Sequence, residues 1–286
     1  MRATRLIRPA AVAGLFYSDE PHELRSLVNQ YLQRPVISPR PPKGLIVPHA
    51  GFPYSGPVAG TAYAQLKPFA QQYQRVVVIG PSHHVAFHGL ATSSADKFAT
   101  PLGHVSLDRH TCDTLNQLRQ IQELDVAHAQ EHSLEVQLPF LQIVLPQCEL
   151  VPLVVGQAST GDVVEALDLM RGGPETLIVA SSDLSHYHDY VTARQLDAET
   201  VRLLEERRFE ELSGERACGF MAVRGLLAAA RGRGLNVTAV DVRNSGDTAG
   251  PRDQVVGYAA CVVSEEPLRP EGKAKAATRV PVTAHS

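Results

Sequence analysis

No apolar run in the 286-residue chain approaches the roughly 20 residues that cross a bilayer, so no membrane span is expected. An excess of basic residues is also missing. Lys and Arg number 27 against 30 Asp and Glu, a net charge of −3. Without a basic stripe to neutralise phosphates, nucleic acid is not an expected partner. Cysteines are few and scattered (Cys112, Cys148, Cys218 and Cys261), with no CxxC pair. That pattern suits reduced thiols in a cytoplasmic protein rather than a disulfide framework. A secretory leader is not expected either, because the apolar stretch from Ala10 to Tyr17 is short, holds Gly14 and lacks a small-x-small cleavage site. Walker loops, a GxSxG elbow and a GxGxxG turn after a strand are all absent.

What is there is ordinary globular composition, 44% apolar and 20% charged, and an unusual set of twelve histidines. Short apolar runs at Gly44–Val47, Arg75–Ile79, Leu150–Val155 and Thr176–Ala180 end in Gly, Pro or Ser, as strands covered on both faces do. Helical periodicity separates them: Pro57–Leu66, Leu107–Leu118, His132–Leu145, Asp162–Met170, Ala193–Glu206 and Cys218–Arg231. Such alternation predicts an α/β fold, a central mainly parallel or mixed sheet flanked by helices, with Asn236–Arg243 and Val255–Val263 as late mixed strands. One domain over residues 1–264 is expected. The Pro-, Lys- and Ala-rich segment 265–286 is expected to be a disordered tail.

The histidines cluster where strands end. PHAGFPYSG carries His49, GPSHH carries His83 and His84, and SSDLSHYH carries Asp183, His186 and His188. Ligands of open α/β sheets bind beyond the carboxyl ends of strands. Imidazoles and a carboxylate arriving there from three strands predict a metal site. His104, His110 and His128 lack that context and read as surface residues, and His88 is assigned no role. His132 opens a helix in EHSLEVQLPFL; it is either an early helical residue or part of the site, with Glu131 and Glu135 favourable at a helix N-terminus. NSGDTAG (Asn244–Gly250) reads equally as a plain turn or as a wall of the crevice. By spacing alone, Cys218 beside Gly219 reads as a packing residue.

The strings AVAGLFY, PHAGFPYSG, GPSHH, EHSLEVQLPFL, SSDLSH, ACG and NSGDTAG, in this order from about Pro9 to Val263, resemble the Memo family, whose bacterial members are called AmmeMemoRadiSam system protein B. The resemblance implies a fold similar to class III extradiol dioxygenases and an oxidoreductase reading. It implies metal ligands at His49, His83 and Cys218, with Asp183 and His186 close by. His186, oriented by Asp183, is the expected general acid or base, and His132, where it belongs to the site, is a further catalytic candidate. Iron(II) is the implied cofactor, with copper or zinc as alternatives because a thiolate is a softer donor. Radical-SAM and AMMECR-type proteins of the same system are the implied partners. Two other readings stand beside it, a non-catalytic metal-binding or redox-sensing adaptor and a zinc hydrolase. The run ACGFMAVRGLL departs from the glycine-proline or histidine-proline pair that often follows this cysteine in the family, and Phe220 and Met221 make that wall more apolar.

Overall fold

The computed structural model describes residues 6–170, 173–266 and 268. Its core is a nine-stranded mixed sheet: β2 (Gly44–Val47), β3 (Arg75–Pro81), β4 (Leu90–Thr92), β7 (Ile121–Glu123), β8 (Glu149–Val155), β9 (Thr176–Ser181), β10 (His186–His188), β11 (Asn236–Asn244) and β12 (Val255–Ser264). A small sheet joins β1 (Ile7–Arg8), β5 (Lys97–Thr100) and β6 (Gly103–Ser106). The helices are α1 (Pro21–Tyr31), α2 (Phe52–Ala64), α3 (Arg109–Leu115), α4 (Asp125–Ala129), α5 (His132–Glu135), α6 (Leu138–Val144), α7 (Thr160–Leu169), α8 (Tyr190–Glu206) and α9 (Phe220–Gly232).

At the centre of the large sheet, β2, β9, β3 and β8 run parallel in that order. Antiparallel pairs flank them, with β12 on β2, β11 on β12 and β4 on β8. The parallel strands are buried on both faces, which explains their unbroken Val, Ile and Leu runs. Alternate residues serve opposite layers: Leu45 and Val47 join α1, α2 and α6 on one face, whereas Ile46 joins α7 and α9 on the other. Close approach of α7 and α9 depends on Gly225, where a Cβ would lie 2.1 Å from Val163.

Several boundaries differ from expectation. The helix expected to open at Pro57 starts at Phe52, with Pro53 in its first turn and Pro57 inside it. The periodic stretch His132–Leu145 is two helices, α5 and α6, with Pro139 at the start of the second. Proline lacks the N–H that a continuous helix would need there. The break turns Gln137 toward the end of β9. His128, expected on the surface, is 2% exposed and packs against Phe98. The short strands β4–β7, whose burial comes from neighbours distant in sequence, were not foreseen. Of the segment expected as a tail, Leu268 is buried, and residues 269–286 lie outside the described part. No helix among the described residues is long and apolar enough to cross a membrane.

Candidate metal centre

Adjacent strands β2, β9 and β3 place their carboxyl ends side by side, and each delivers part of one site. His49 follows β2, Ser181 and Asp183 lie at the end of β9, and His83 follows β3. His132 is the first residue of α5. One ligand nitrogen from each of His49, His83 and His132 lies within 4.8 Å of the others. The rings of His83 and His132 stack at 4.3 Å, and Phe16 covers the edge of the group at 4.6 Å from His132.

Hydrogen bonding fixes which nitrogens face the gap. Ser181 Oγ donates its only proton to the Ser133 carbonyl at 2.6 Å and accepts from Gln137 Nε2 at 2.9 Å. His49 Nδ1, 2.9 Å from the same oxygen, must therefore be the donor, which leaves the His49 Nε2 lone pair free. His83 Nδ1 lies 2.8 Å from Glu131 Oε1, and the His83 amide donates to Oε2 at 2.6 Å. Burial alone would raise Glu131, but the hydrogen bonds from His83 and from the Ser133 amide outweigh it and hold the carboxylate at about 2. Ionised, it is acceptor only, so His83 Nδ1 is the donor in this pair, and in the neutral ring Nε2 is the nitrogen left with a lone pair. A carboxylate or hydroxyl behind each imidazole is the arrangement that orients metal-binding histidines. Burial, and then the neighbouring imidazoles, lower His49 and His132 to about 3, so both rings are neutral and able to donate lone pairs near neutral pH.

Cys218 approaches from the other layer. Its Sγ lies 3.2 Å from His49 Nε2 and accepts the Asp183 amide at 3.3 Å. Gly219 makes this possible, because a Cβ there would sit 2.4 Å from the Ser181 carbonyl and push the start of α9 away. Burial first, and then the charge of Asp183, raise the Cys218 thiol to about 12. Without an ion the sulfur thus keeps its proton against His49 Nε2. A divalent cation in the gap would supply the charge that deprotonates it.

Asp183 does not orient His186. Its carboxylate accepts the His49 amide at 2.7 Å, and His186 Nδ1 pairs with the Leu184 carbonyl at 2.8 Å instead. Burial raises Asp183 to about 6 against the stabilising amides of His49 and Ala50. His186 sits outside the three-histidine group but faces the same cavity. A bulge between β10 and β12 interrupts the alternation there, and Tyr187 takes a left-handed backbone with φ of 61°. As a result His186, Tyr187 and His188 all line the cavity, a re-aiming that bulges commonly achieve.

The cavity holds about 1240 Å³ and reaches from the histidines to Ser245 and Gly250 of the NSGDTAG loop, which settles that loop as a wall. His84 remains exposed at its rim. A model of Memo-like proteins matches residues 8–262. The chain belongs to the Memo family. Its relatives include MEMO1 family proteins of Pyrobaculum aerophilum, 32% identical over 89% of this chain and 98% of theirs, and of Methanosarcina barkeri, 34% identical over 90% and 100%. A MEMO1 family protein of Sulfolobus acidocaldarius is 34% identical over 88% of this chain and 98% of its own.

Sequence reading missed the groups behind the ligand candidates in this Memo-family chain. In the sequence Glu131 reads only as a helix-terminus charge, and Ser181 and Gln137 carry no signal of their role. Glu135 is wholly buried, ion-paired with Arg8, and accepts from the Ala11 and Val12 amides and the Tyr17 hydroxyl. It thereby fastens the N-terminal segment that carries Phe16. The signal was present in EHSLE, since a glutamate within an apolar helix stripe needs a buried partner.

Proposed function

We propose that the chain holds one divalent transition metal ion and acts as an iron(II)-dependent oxidoreductase. The observation that carries this reading is the pair of freed Nε2 lone pairs on His49 and His83, each fixed by a hydrogen bond behind the ring. The third donor comes from Cys218, as the family resemblance implies, or from His132, whose ligand nitrogen lies within 4.8 Å of both. Two imidazoles and one further donor leave open positions on an ion of this type. When bound, the ion supplies Lewis acidity and, as iron(II), access to oxygen chemistry.

The chain's own residues do the rest. Glu131 and Ser181 hold the two imidazoles in their donating tautomers. His186, with Nδ1–H committed to the Leu184 carbonyl, gives or takes a proton at Nε2 on the cavity side. Phe16 and the β10 bulge close two walls. Anaerobically prepared protein should take up about one iron per chain, measured by elemental analysis. No uptake of iron, copper or zinc refutes the metal centre, and zinc that iron cannot displace moves the reading to a zinc hydrolase.

A second reading rests on Tyr187, which lines the cavity and is 71% exposed, and on Leu15, 82% exposed and next in the chain to the cavity residue Phe16. Exposed apolar groups around a ligand site suit an adaptor that docks a partner protein. Radical-SAM and AMMECR-type proteins are the partners proposed, in a reducing cytoplasm that suits the four free cysteines. Co-purification with those proteins but no turnover would favour this reading.

A further inference from the structure

Tyr258 lies on β12, 1% exposed, with its ring in the layer formed by α1, α2 and α6. Its hydroxyl has no hydrogen-bond partner among the described residues. The other fully buried tyrosine, Tyr63, donates to Gln137 Oε1 at 3.0 Å, and the buried hydroxyls of Tyr17 and Tyr73 are also paired. The Tyr258 oxygen is not among the buried side-chain atoms left without a partner, so a hydroxyl on an otherwise buried ring pairs with nothing in the protein and opens toward the cavity. The residue lines the cavity that also holds His49, Asp183 and His186. The charge of Asp183 acts on its hydroxyl. Asp183 does not claim it, since that carboxylate takes the His49 amide instead.

We infer that the Tyr258 hydroxyl donates a hydrogen bond to an anionic oxygen of the small molecule the cavity accepts, and orients that molecule against the histidine group. Burial and the charge of Asp183 push the phenol far above its usual range, so it stays protonated and able to donate. The walls around it set the class of ligand. Phe16, Tyr54, Tyr187, Leu196 and Val256 are aromatic or aliphatic, which suits a carboxylate carried on an apolar body. The inference deepens the proposed function by naming a contact to the ligand and its chemistry. It uses the same cavity but does not require the ion.

Benzoate is the probe, titrated by calorimetry into full-length wild type and Tyr258→Phe, each metal-free and zinc-loaded, beside metal content and thermal midpoint. Phenylalanine keeps the ring and removes only the oxygen. We expect equal metal content and a thermal midpoint no lower than wild type, because the hydroxyl pairs with nothing in the protein. Benzoate should bind about 10- to 100-fold more weakly in the variant, as loss of a hydrogen bond to a charged group implies. Failure of wild type to bind benzoate in either form, equal affinity in the two proteins, or a lower midpoint in Tyr258→Phe would each overturn the inference. Wild type that takes up no metal refutes the metal centre alone, and the metal-free comparison then decides Tyr258.

Discussion

The pair formed by Arg8 and Glu135 should contribute more to stability than any other ion pair described. Their side chains are 6% and 0% exposed. Besides the guanidinium, Glu135 accepts two backbone amides and the Tyr17 hydroxyl. Arg8 also donates to the carbonyls of His128 at 2.7 Å and Glu131 at 2.9 Å. Removing the carboxylate with Glu135→Ala leaves a buried cation and three further donors without an acceptor. Breaking a buried pair from one side costs about 3–5 kcal/mol, a large share of the roughly 5–15 kcal/mol that holds a typical protein folded. The surface pairs, such as Arg208 with Glu211 at about half exposure, are screened by water and should each contribute far less. The assay is urea unfolding of wild type, Arg8→Met, Glu135→Ala and the double variant, with an unchanged slope as the condition for comparing them. Coupling of about 2 kcal/mol or more between the two sites is expected. Because this pair anchors the segment carrying Phe16 against His132, metal affinity should fall with it. Single variants that each lose less than about 1 kcal/mol, or losses that simply add, would refute the argument.

Cys218→Ser should weaken metal binding steeply and abolish the proton released on loading, while Cys261→Ser, in the sealed core of β12, should show only a packing loss of about 1–3 kcal/mol. Equal metal affinity in wild type and Cys218→Ser would leave His132 as the third donor. His49→Ala and His83→Ala should lose the metal, whereas His186→Ala should retain it and lose turnover; elemental analysis with activity separates the roles, and metal loss in His186→Ala would make it a ligand. His128 is lowered from 6.5 to about 4, by burial first and then by Arg8. The folded state therefore refuses a proton that the unfolded chain accepts. Its contribution is present above about pH 6.5 and is lost as pH falls toward 4, on the order of 3 kcal/mol in all. The stability gap between wild type and His128→Gln should shrink by that amount over this window. A gap independent of pH in urea titrations would show that the ring is not held neutral.

The central strands were legible in the sequence because burial on both faces leaves no alternation, only apolar runs closed by turn residues. Gly44–Val47 matches the predicted span, and Arg75–Pro81 and Thr176–Ser181 differ at one end by one or two residues. His49, His83 and Asp183 were legible for the same reason: a residue just past a parallel strand must emerge at the ligand-binding edge, whatever the order of the strands. That order was not legible. Placement of β9 between β2 and β3 depends on crossovers and helix packing, and it alone brings Ser181 behind His49. Glu131, Gln137 and Glu135 were misread or missed because a polar residue in an amphipathic stretch shows its partner only when the chain is folded. The same holds for His128, whose helix α4 has too few residues to display a buried face. Cys218 is the sharpest division. Composition and spacing make it a packing thiol, and only the close approach at Gly219 sets its sulfur 3.2 Å from His49 Nε2.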